Sequence, residues 1–163
     1  MAIDIEALTA PLDGEDPAGP DLSYENDRTV IEAAFSSEGD EQPAWSDIIA
    51  RIADQAKDTR DLTLGILWMR AATKLGDLAR LETAARYTAA LAQSNWAHMH
   101  PKLDEYGFQG RKGVCESLAR ISDFLGPLRR TILVEHPRLG SYSGGDIERF
   151  VSEGEAAEGY GMF

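Results

Sequence analysis

The segment Asn95-Trp96-Ala97-His98-Met99-His100-Pro101-Lys102-Leu103-Asp104 ends the longest helix that the sequence predicts. Upstream of it, residues recur at helical spacing at Leu78, Leu81, Ala85, Thr88 and Ala92. Pro101 cannot continue this helix because proline lacks a backbone N–H and its ring clashes with the preceding turn. The sequence therefore predicts a helix over residues 78–96 and a loop over residues 102–110.

The polar residues of this segment are interpreted as a helix end. His100 and Pro101 stop the helix, and a histidine there complements the negative end of the helix dipole. Leu103 and Asp104 are expected to fix the loop that follows. Tryptophans on apolar helix faces are expected in the core, and this prediction covers Trp45, Trp68 and Trp96.

Further helices are predicted on both sides of this segment. The apolar spacing favours helices over residues 24–35 and 45–57, and a third helix that ends near residue 75 with Thr59 as its N-cap. The third helix has apolar side chains on more than one side, which is typical of a central helix. Downstream, a fifth helix is predicted to carry Val114, Leu118, Ile121 and Leu125 on one face and to close at Pro127. Ser143 is predicted to begin a short final helix over residues 147–151.

Between and beyond these helices the sequence indicates little regular structure. Prolines and glycines interrupt residues 1–23, which are predicted to form an extended lead-in packed on the domain. Residues 24–151 form the helical domain, and residues 152–163 are expected to be a flexible tail or the start of a linker. Strand-like alternation is nowhere sustained. The predicted fold is all-α, an antiparallel bundle of about five to seven helices.

Composition and charge argue against several classes of function. The 163 residues carry a formal charge of −12, which argues against nucleic-acid binding because phosphate recognition needs clustered basic residues. The acidic residues before Arg28 suit a basic protein partner or simply a solvated surface. The longest apolar stretch, residues 65–69, is too short to cross a bilayer, and no signal peptide is evident. We expect a soluble, cytoplasmic protein, and the single Cys115 agrees with a reducing compartment.

The clearest enzyme-like hypothesis is a small metal-dependent hydrolase centred on His98, His100 and Asp104. Helix geometry weakens this hypothesis because residues two apart point to different sides of a helix. Cys115 lies near an apolar stripe, where a buried, inert thiol is expected. No catalytic, metal or cofactor site is therefore predicted, and the chain is interpreted as a non-enzymatic protein.

Four segments resemble the N-terminal domain of the ImpA or TssA family of the bacterial type VI secretion system. Residues 16–25 are similar to the family's Pro-x-Gly-x-Asp-Leu-x-Tyr opening, and residues 59–62 to its Ser-Lys-Asp-Leu helix start. Residues 95–104 resemble its Tyr-Trp-x-x-x-His-Pro-x-Leu-Asp run, and residues 128–148 match more loosely. The motif residues, structural or at an interface, are Asp21, Leu22, Tyr24, Trp45, Asp61, Leu62, Trp96, His100, Pro101, Leu103 and Asp104.

This resemblance implies a scaffold role in assembling the secretion machine. The implied partners are baseplate, sheath and tube proteins, with a homo-oligomer as a further possibility and without nucleic acid or membrane insertion. A generic acidic helical adaptor with an unrelated basic partner is the remaining alternative to the hydrolase.

Overall fold

The computed structural model describes residues 3–36, 43–103 and 107–162, and this part of the chain is mostly helical. Its α-helices are α1 (Ile5–Thr9), α2 (Asn26–Ser36), α3 (Trp45–Gln55), α4 (Leu62–Leu75), α5 (Leu78–Asn95), α6 (Gln109–Cys115), α7 (Gly126–Arg130) and α8 (Gly144–Glu153). A small antiparallel sheet, β1 (Ile132–His136) and β2 (Gly140–Ser143), lies between α7 and α8. The predicted all-α bundle is confirmed, with this hairpin as an addition.

Helix α4 forms the centre of the core, as its two apolar faces predicted. Most residues from Leu62 to Thr73 are buried, and α3 and α5 pack against this helix. The helix ends at Gly76, whose φ of 74° is left-handed and therefore favours glycine. Trp68 is fully buried and its ring packs on Tyr87 of α5, with centroids 5.3 Å apart.

The face that α5 turns to the core differs from the predicted one. Its buried side chains are Ala84, Tyr87, Leu91 and Asn95. The predicted residues flank this stripe, and Leu78 is exposed. The prediction placed the stripe about one residue off because apolar residues also flank the buried face, at Ala85 and Ala92, and helical spacing alone does not separate the two sets.

The start of α4 also differs from the prediction. Asp61, not Thr59, is the N-cap, and its carboxylate accepts from the backbone N–H of Thr63 at 2.8 Å. Thr59 is buried and its hydroxyl donates to the carbonyl of Pro20 at 2.7 Å. Both side chains hydrogen-bond to backbone groups, but only Asp61 lies directly before α4 and accepts from an N–H of its first turn.

The predicted extended lead-in contains a helix. Residues Ile5–Thr9 form α1, and Asp4 caps it by accepting from the N–H of Ala7 at 3.1 Å. The helix lies before Pro11, so the prolines and glycines that led to the prediction affect only residues 11–20. The extended interpretation was therefore wrong for residues 5–9.

The predicted fifth helix is broken into pieces. Helix α6 passes into a 3₁₀ turn at Glu116–Ala119, a π-helical turn at Ile121–Leu125 and then α7. These changes of helical period move Ile121 to the surface, where it is 76% exposed, and leave Leu125 exposed as well. Phe124 is buried in their place. Pro127 occupies the first turn of α7, where a missing N–H costs nothing, and does not close a helix.

The C-terminal part was predicted less completely. The hairpin was missed because its strands are only five and four residues long, and β1 is exposed along its whole length. The final helix was found: Ser143 and Asp146 form a capping box that begins α8. Beyond α8, short 3₁₀ turns lie at Gly154–Ala156 and Tyr160–Met162. Within the described residues, no helix combines the length and apolar character needed to cross a membrane.

Candidate functional site

The motif segments meet at one junction, which brings together residues 16–21, 58–62 and 95–102. Main-chain hydrogen bonds join them: Arg60 N–H donates to the carbonyl of Ala18 at 2.7 Å, and His100 N–H donates to the carbonyl of Arg60 at 2.8 Å. Leu62 N–H in turn donates to the carbonyl of His100 at 2.9 Å. Three segments that lie far apart in the sequence thus pair much as sheet strands do.

His100 fixes the centre of this junction. Its side chain is buried, and its Nε2 lies 3.0 Å from the carbonyl oxygen of Gly19. A carbonyl can only accept, so Nε2 carries the proton and donates. Gly19 has a φ of 70°, and an added Cβ would lie 2.5 Å from the carbonyl oxygen of Asp58. His100 therefore serves the fold by holding the lead-in.

Arg28 and Asp61 form a buried ion pair under the start of α4. Arg28 Nη2 lies 2.6 Å from Asp61 Oδ2, and Arg28 Nε donates to Gln55 Oε1 at 2.9 Å. Both charged side chains are at least 97% buried. Because Asp61 also caps α4, one carboxylate satisfies the helix end and neutralises a buried guanidinium. Removing either partner would leave an uncompensated buried charge.

Arg60 and Asn95 attach α1 to the rest of the domain. Arg60 Nε donates to the carbonyl of Ala10 at 2.7 Å and Nη1 to that of Ala56 at 2.8 Å. Asn95 Nδ2 donates to the carbonyl of Thr9 at 2.6 Å. These bonds satisfy carbonyls at the C-terminal ends of α1 and α3, where the helices themselves offer no partner. Burial lowers the pKa of the Arg60 guanidinium, which still stays charged at neutral pH.

Arg111 holds the segment that follows α5. Its guanidinium donates to the carbonyl oxygens of Pro101 at 2.8 Å, Trp96 at 2.5 Å and Met99 at 2.7 Å. The same group lies over the Trp96 ring, 4.7 Å from its centroid. Trp96 is 48% exposed, so the prediction that it anchors the core was wrong. Met99, fully buried, occupies the core position instead.

Lys102 closes the junction at the surface. Its ammonium donates to Asp16 Oδ2 at 2.6 Å and to the carbonyl of His98 at 2.6 Å. The hydrogen bond from Lys102, together with one from the N–H of Ala18, holds the pKa of Asp16 below its ordinary value. Nearby, hydrogen bonds from the hydroxyl and N–H of Ser23 lower the pKa of Asp21.

The other motif residues are divided between the core and the surface. Trp45 is buried and packs on Phe35. Tyr24 is 95% exposed and Leu103 is 44% exposed. Pro101 and Leu22 are half-buried, Asp21 is exposed, and Asp104 lies outside the described residues. The motifs thus combine residues that hold the fold with aromatic and aliphatic residues that face solvent.

The described residues offer no support for the hydrolase hypothesis. Among residues 3–36, 43–103 and 107–162, no group of three or more His, Cys, Asp or Glu side chains could hold a metal ion. His98 is exposed while His100 is buried against Gly19, so the two imidazoles do not converge. The side chain of Cys115 is exposed, which corrects the expectation of a buried thiol.

Sequence reasoning missed the three buried arginines, Arg28, Arg60 and Arg111. Arg60 lies inside a quoted motif, but the sequence assigned it no structural role. Arg28 and Arg111 were likewise assigned no role. Local sequence gives no signal for them, because Arg28 bonds side chains of other segments and Arg60 and Arg111 bond main-chain carbonyls of other segments.

These features define a helical domain whose shared motif residues mostly stabilise its own fold. The family model described as "ImpA, N-terminal, type VI secretion system" matches residues 9–120, more than half of the chain. The chain therefore belongs to the ImpA N-terminal family of the type VI secretion system. The matched range contains the whole junction and ends before α7 and the hairpin.

A solved structure shares the fold. It is the N-terminal domain, including the conserved ImpA_N region, of the TssA component of the type VI secretion system from Burkholderia cenocepacia. The TM-score is 0.70 at 19% sequence identity, and the match covers 94% of this chain. The chain spans 61% of the length of that solved chain. Comparison with curated protein sequences gives no match.

Proposed function

We propose that this chain is a non-enzymatic scaffold module of the type VI secretion system that binds other proteins of the apparatus in the cytoplasm. The observation that carries the proposal is the family match over residues 9–120, which includes every buried motif residue. The titratable motif residues support this interpretation because their hydrogen bonds are used inside the fold. His100 holds Gly19, and Asp61 holds Arg28 and the start of α4.

Exposed motif residues are the proposed points of contact with partners. Tyr24 and Trp96 are aromatic residues at motif positions with large exposed fractions, and neither is needed to fill the core. Tyrosine and tryptophan are enriched among the residues that dominate binding energy at protein interfaces. Baseplate, sheath and tube proteins are the proposed partners, and self-association of the chain is a further possibility.

Co-purification with separately expressed baseplate, sheath and tube proteins tests the proposal. We expect at least one of them to be retained by the chain, and Tyr24→Ala to weaken that retention by about tenfold or more. Val151→Ala is the matched control because Val151 is 80% exposed and lies outside the matched range. Retention of none of these proteins would contradict the proposal.

Two further measurements separate the alternatives. Stoichiometric metal in the purified chain together with hydrolase activity would favour an enzyme over a scaffold. Binding that is lost entirely in moderate salt, with any basic protein as partner, would favour a generic acidic adaptor. The scaffold proposal requires a partner from the secretion apparatus and binding that survives moderate salt.

A further inference from the structure

A groove runs between α3 and α5, and Ile3 and Ile5 also line it. Its volume is about 500 Å³, within the range of sites that bind ligands. Ile49 and the fully buried Trp68 belong to its lining. None of residues 16–21, 58–62 and 95–102 lines it, so the groove is separate from the junction described above.

Small side chains form much of the groove's walls. Ala50 and Ala53 of α3 lie on one side, and Ala79 and Thr83 of α5 lie on the other. Their spacing of three and four residues places each pair on one helix face. Walls of this kind leave room for larger side chains from another element, which is how an amphipathic helix docks into a groove.

The charge of the groove differs from that of the chain. The formal net charge is −12, yet the charged side chains that line the groove are Arg80 and Arg86, and no described acidic residue lines it. Arg80 lies 3.3 Å from Asp77 and Arg86 lies 3.7 Å from Glu82, both at exposed sites. Such surface pairs are weak, so both guanidiniums can exchange to a carboxylate of a bound partner.

We propose that the groove between α3 and α5 binds an amphipathic helix of a partner protein, with an apolar face against Ile5, Ala50 and Ala53 and acidic residues beside Arg80 and Arg86. Apolar lining, small-residue walls and a cationic rim in an acidic chain together select this ligand over a basic helix or a second copy of the acidic chain. The inference rests on the proposed function only for the identity of the partner, since the chemistry of the groove is independent of it.

Two synthetic helical peptides test the chemistry directly. They share one leucine-rich face and differ only in whether the flanking positions carry glutamate or lysine. Binding to the full chain is measured by calorimetry and by amide and indole N–H shifts of the isotope-labelled protein. We expect the glutamate peptide to bind about tenfold tighter than the lysine peptide. Its shifts should centre on Ala50, Ala53 and Thr83.

Paired charge reversals provide the matched control. Arg80→Glu/Arg86→Glu should invert the peptide preference, while Arg51→Glu/Arg138→Glu, which changes the net charge equally at exposed sites outside the groove, should leave it unchanged. Circular dichroism confirms that both variants fold. Equal affinity for the two peptides, shifts centred on β1, absence of binding, or equal effects of the two variants would each overturn the inference.

Repeating the co-purification with these variants separates this inference from the proposed function. If the secretion-system partner is retained by the wild-type chain and lost from Arg80→Glu/Arg86→Glu alone, the groove is its binding site. If that variant retains the partner fully, the groove inference fails while the scaffold function stands. If the wild-type chain retains no partner but the peptide preference holds, only the scaffold function fails.

Discussion

Buried arginines carry much of the structural role at the scale of single residues. Arg28, Arg60 and Arg111 are each at most 2% exposed, and each donates to groups in another segment of the chain. A guanidinium has five N–H donors in a fixed plane, so one side chain can satisfy several carbonyls that no helix or sheet would reach. A lysine in its place would supply charge but not this geometry.

Replacing Arg111 tests this role. Arg111→Met leaves the carbonyls of Trp96, Met99 and Pro101 without their donor, and we expect a loss of about 2 to 4 kcal/mol in the free energy of unfolding. Urea denaturation followed by circular dichroism measures it. The neighbouring Lys112→Met, at an exposed position, should change stability by less than about 0.5 kcal/mol. Similar stability of the two variants would contradict this account.

The tryptophans give a second test at this scale. Trp68→Ala removes a fully buried ring and should cost about 3 to 5 kcal/mol. Trp96→Ala removes a ring that is 48% exposed and packs on Arg111, so it should cost only about 1 to 2 kcal/mol. The same denaturation experiment compares them. Equal losses would mean that Trp96 is packed more deeply than the structure shows.

At the scale of elements, close approach of α4 and α5 depends on a glycine. A Cβ added at Gly65 would lie 2.5 Å from the Thr88 hydroxyl oxygen, so these helices pack at a distance that only glycine permits. Sequence reasoning saw Gly65 only as part of an apolar stretch. The need for it arises from the partner helix, which local spacing does not reveal.

Two glycine substitutions should therefore have opposite effects. Gly65→Ala should destabilise the domain by about 1 to 3 kcal/mol through overpacking, although alanine is the better helix former. Gly113→Ala in α6 meets nothing within 4 Å and should stabilise the domain by about 0.5 to 1 kcal/mol. Thermal unfolding measures both changes. Stabilisation by both substitutions would show that α4 and α5 can separate without cost.

Elements whose ends and faces are set by nearby residues in the sequence were predicted best. Helices α3, α4 and α5 were predicted with nearly correct bounds because their apolar spacing and the stop at Gly76 are local signals, whereas α8 was found from its Ser143 cap but predicted too short. The break after α6 and the exposed hairpin were missed, since both depend on contacts rather than on local pattern. The motif residues were found through resemblance, whereas their partners Arg28 and Arg111 required the three-dimensional arrangement.

For the whole molecule, the lead-in is held partly by charge, and this makes stability depend on pH. The folded chain lowers the pKa of Asp16 through Lys102, so the folded state binds its proton less readily than the unfolded chain does. Such a group stabilises the folded state fully at pH values above its pKa in the unfolded chain. This stabilisation is lost as the pH falls through its pKa in the folded chain. The affected window lies below about pH 4.

Asp16→Asn should reveal this contribution. We expect the stability difference between the wild-type chain and this variant to be largest at pH 5 to 7 and to shrink towards zero below about pH 4. Urea denaturation across that range measures it. Asp13→Asn, an exposed carboxylate of the same segment, should change stability by less than about 0.5 kcal/mol. If the stability difference between the wild-type chain and Asp16→Asn does not change with pH, the proposed role of the Asp16–Lys102 ion pair is contradicted.

The attachment of the lead-in also constrains the order of events during synthesis. Asn95 bonds Thr9 across 86 residues, Lys102 bonds Asp16 across 86 residues, and His100 bonds Gly19 across 81 residues. Residues 9–19 therefore leave the ribosome more than eighty residues before these partners exist. Domains generally fold as units, and contacts of such long range form late. This segment is thus made before the end of α5 but docks after it, which leaves it open to chaperones and proteases while translation proceeds.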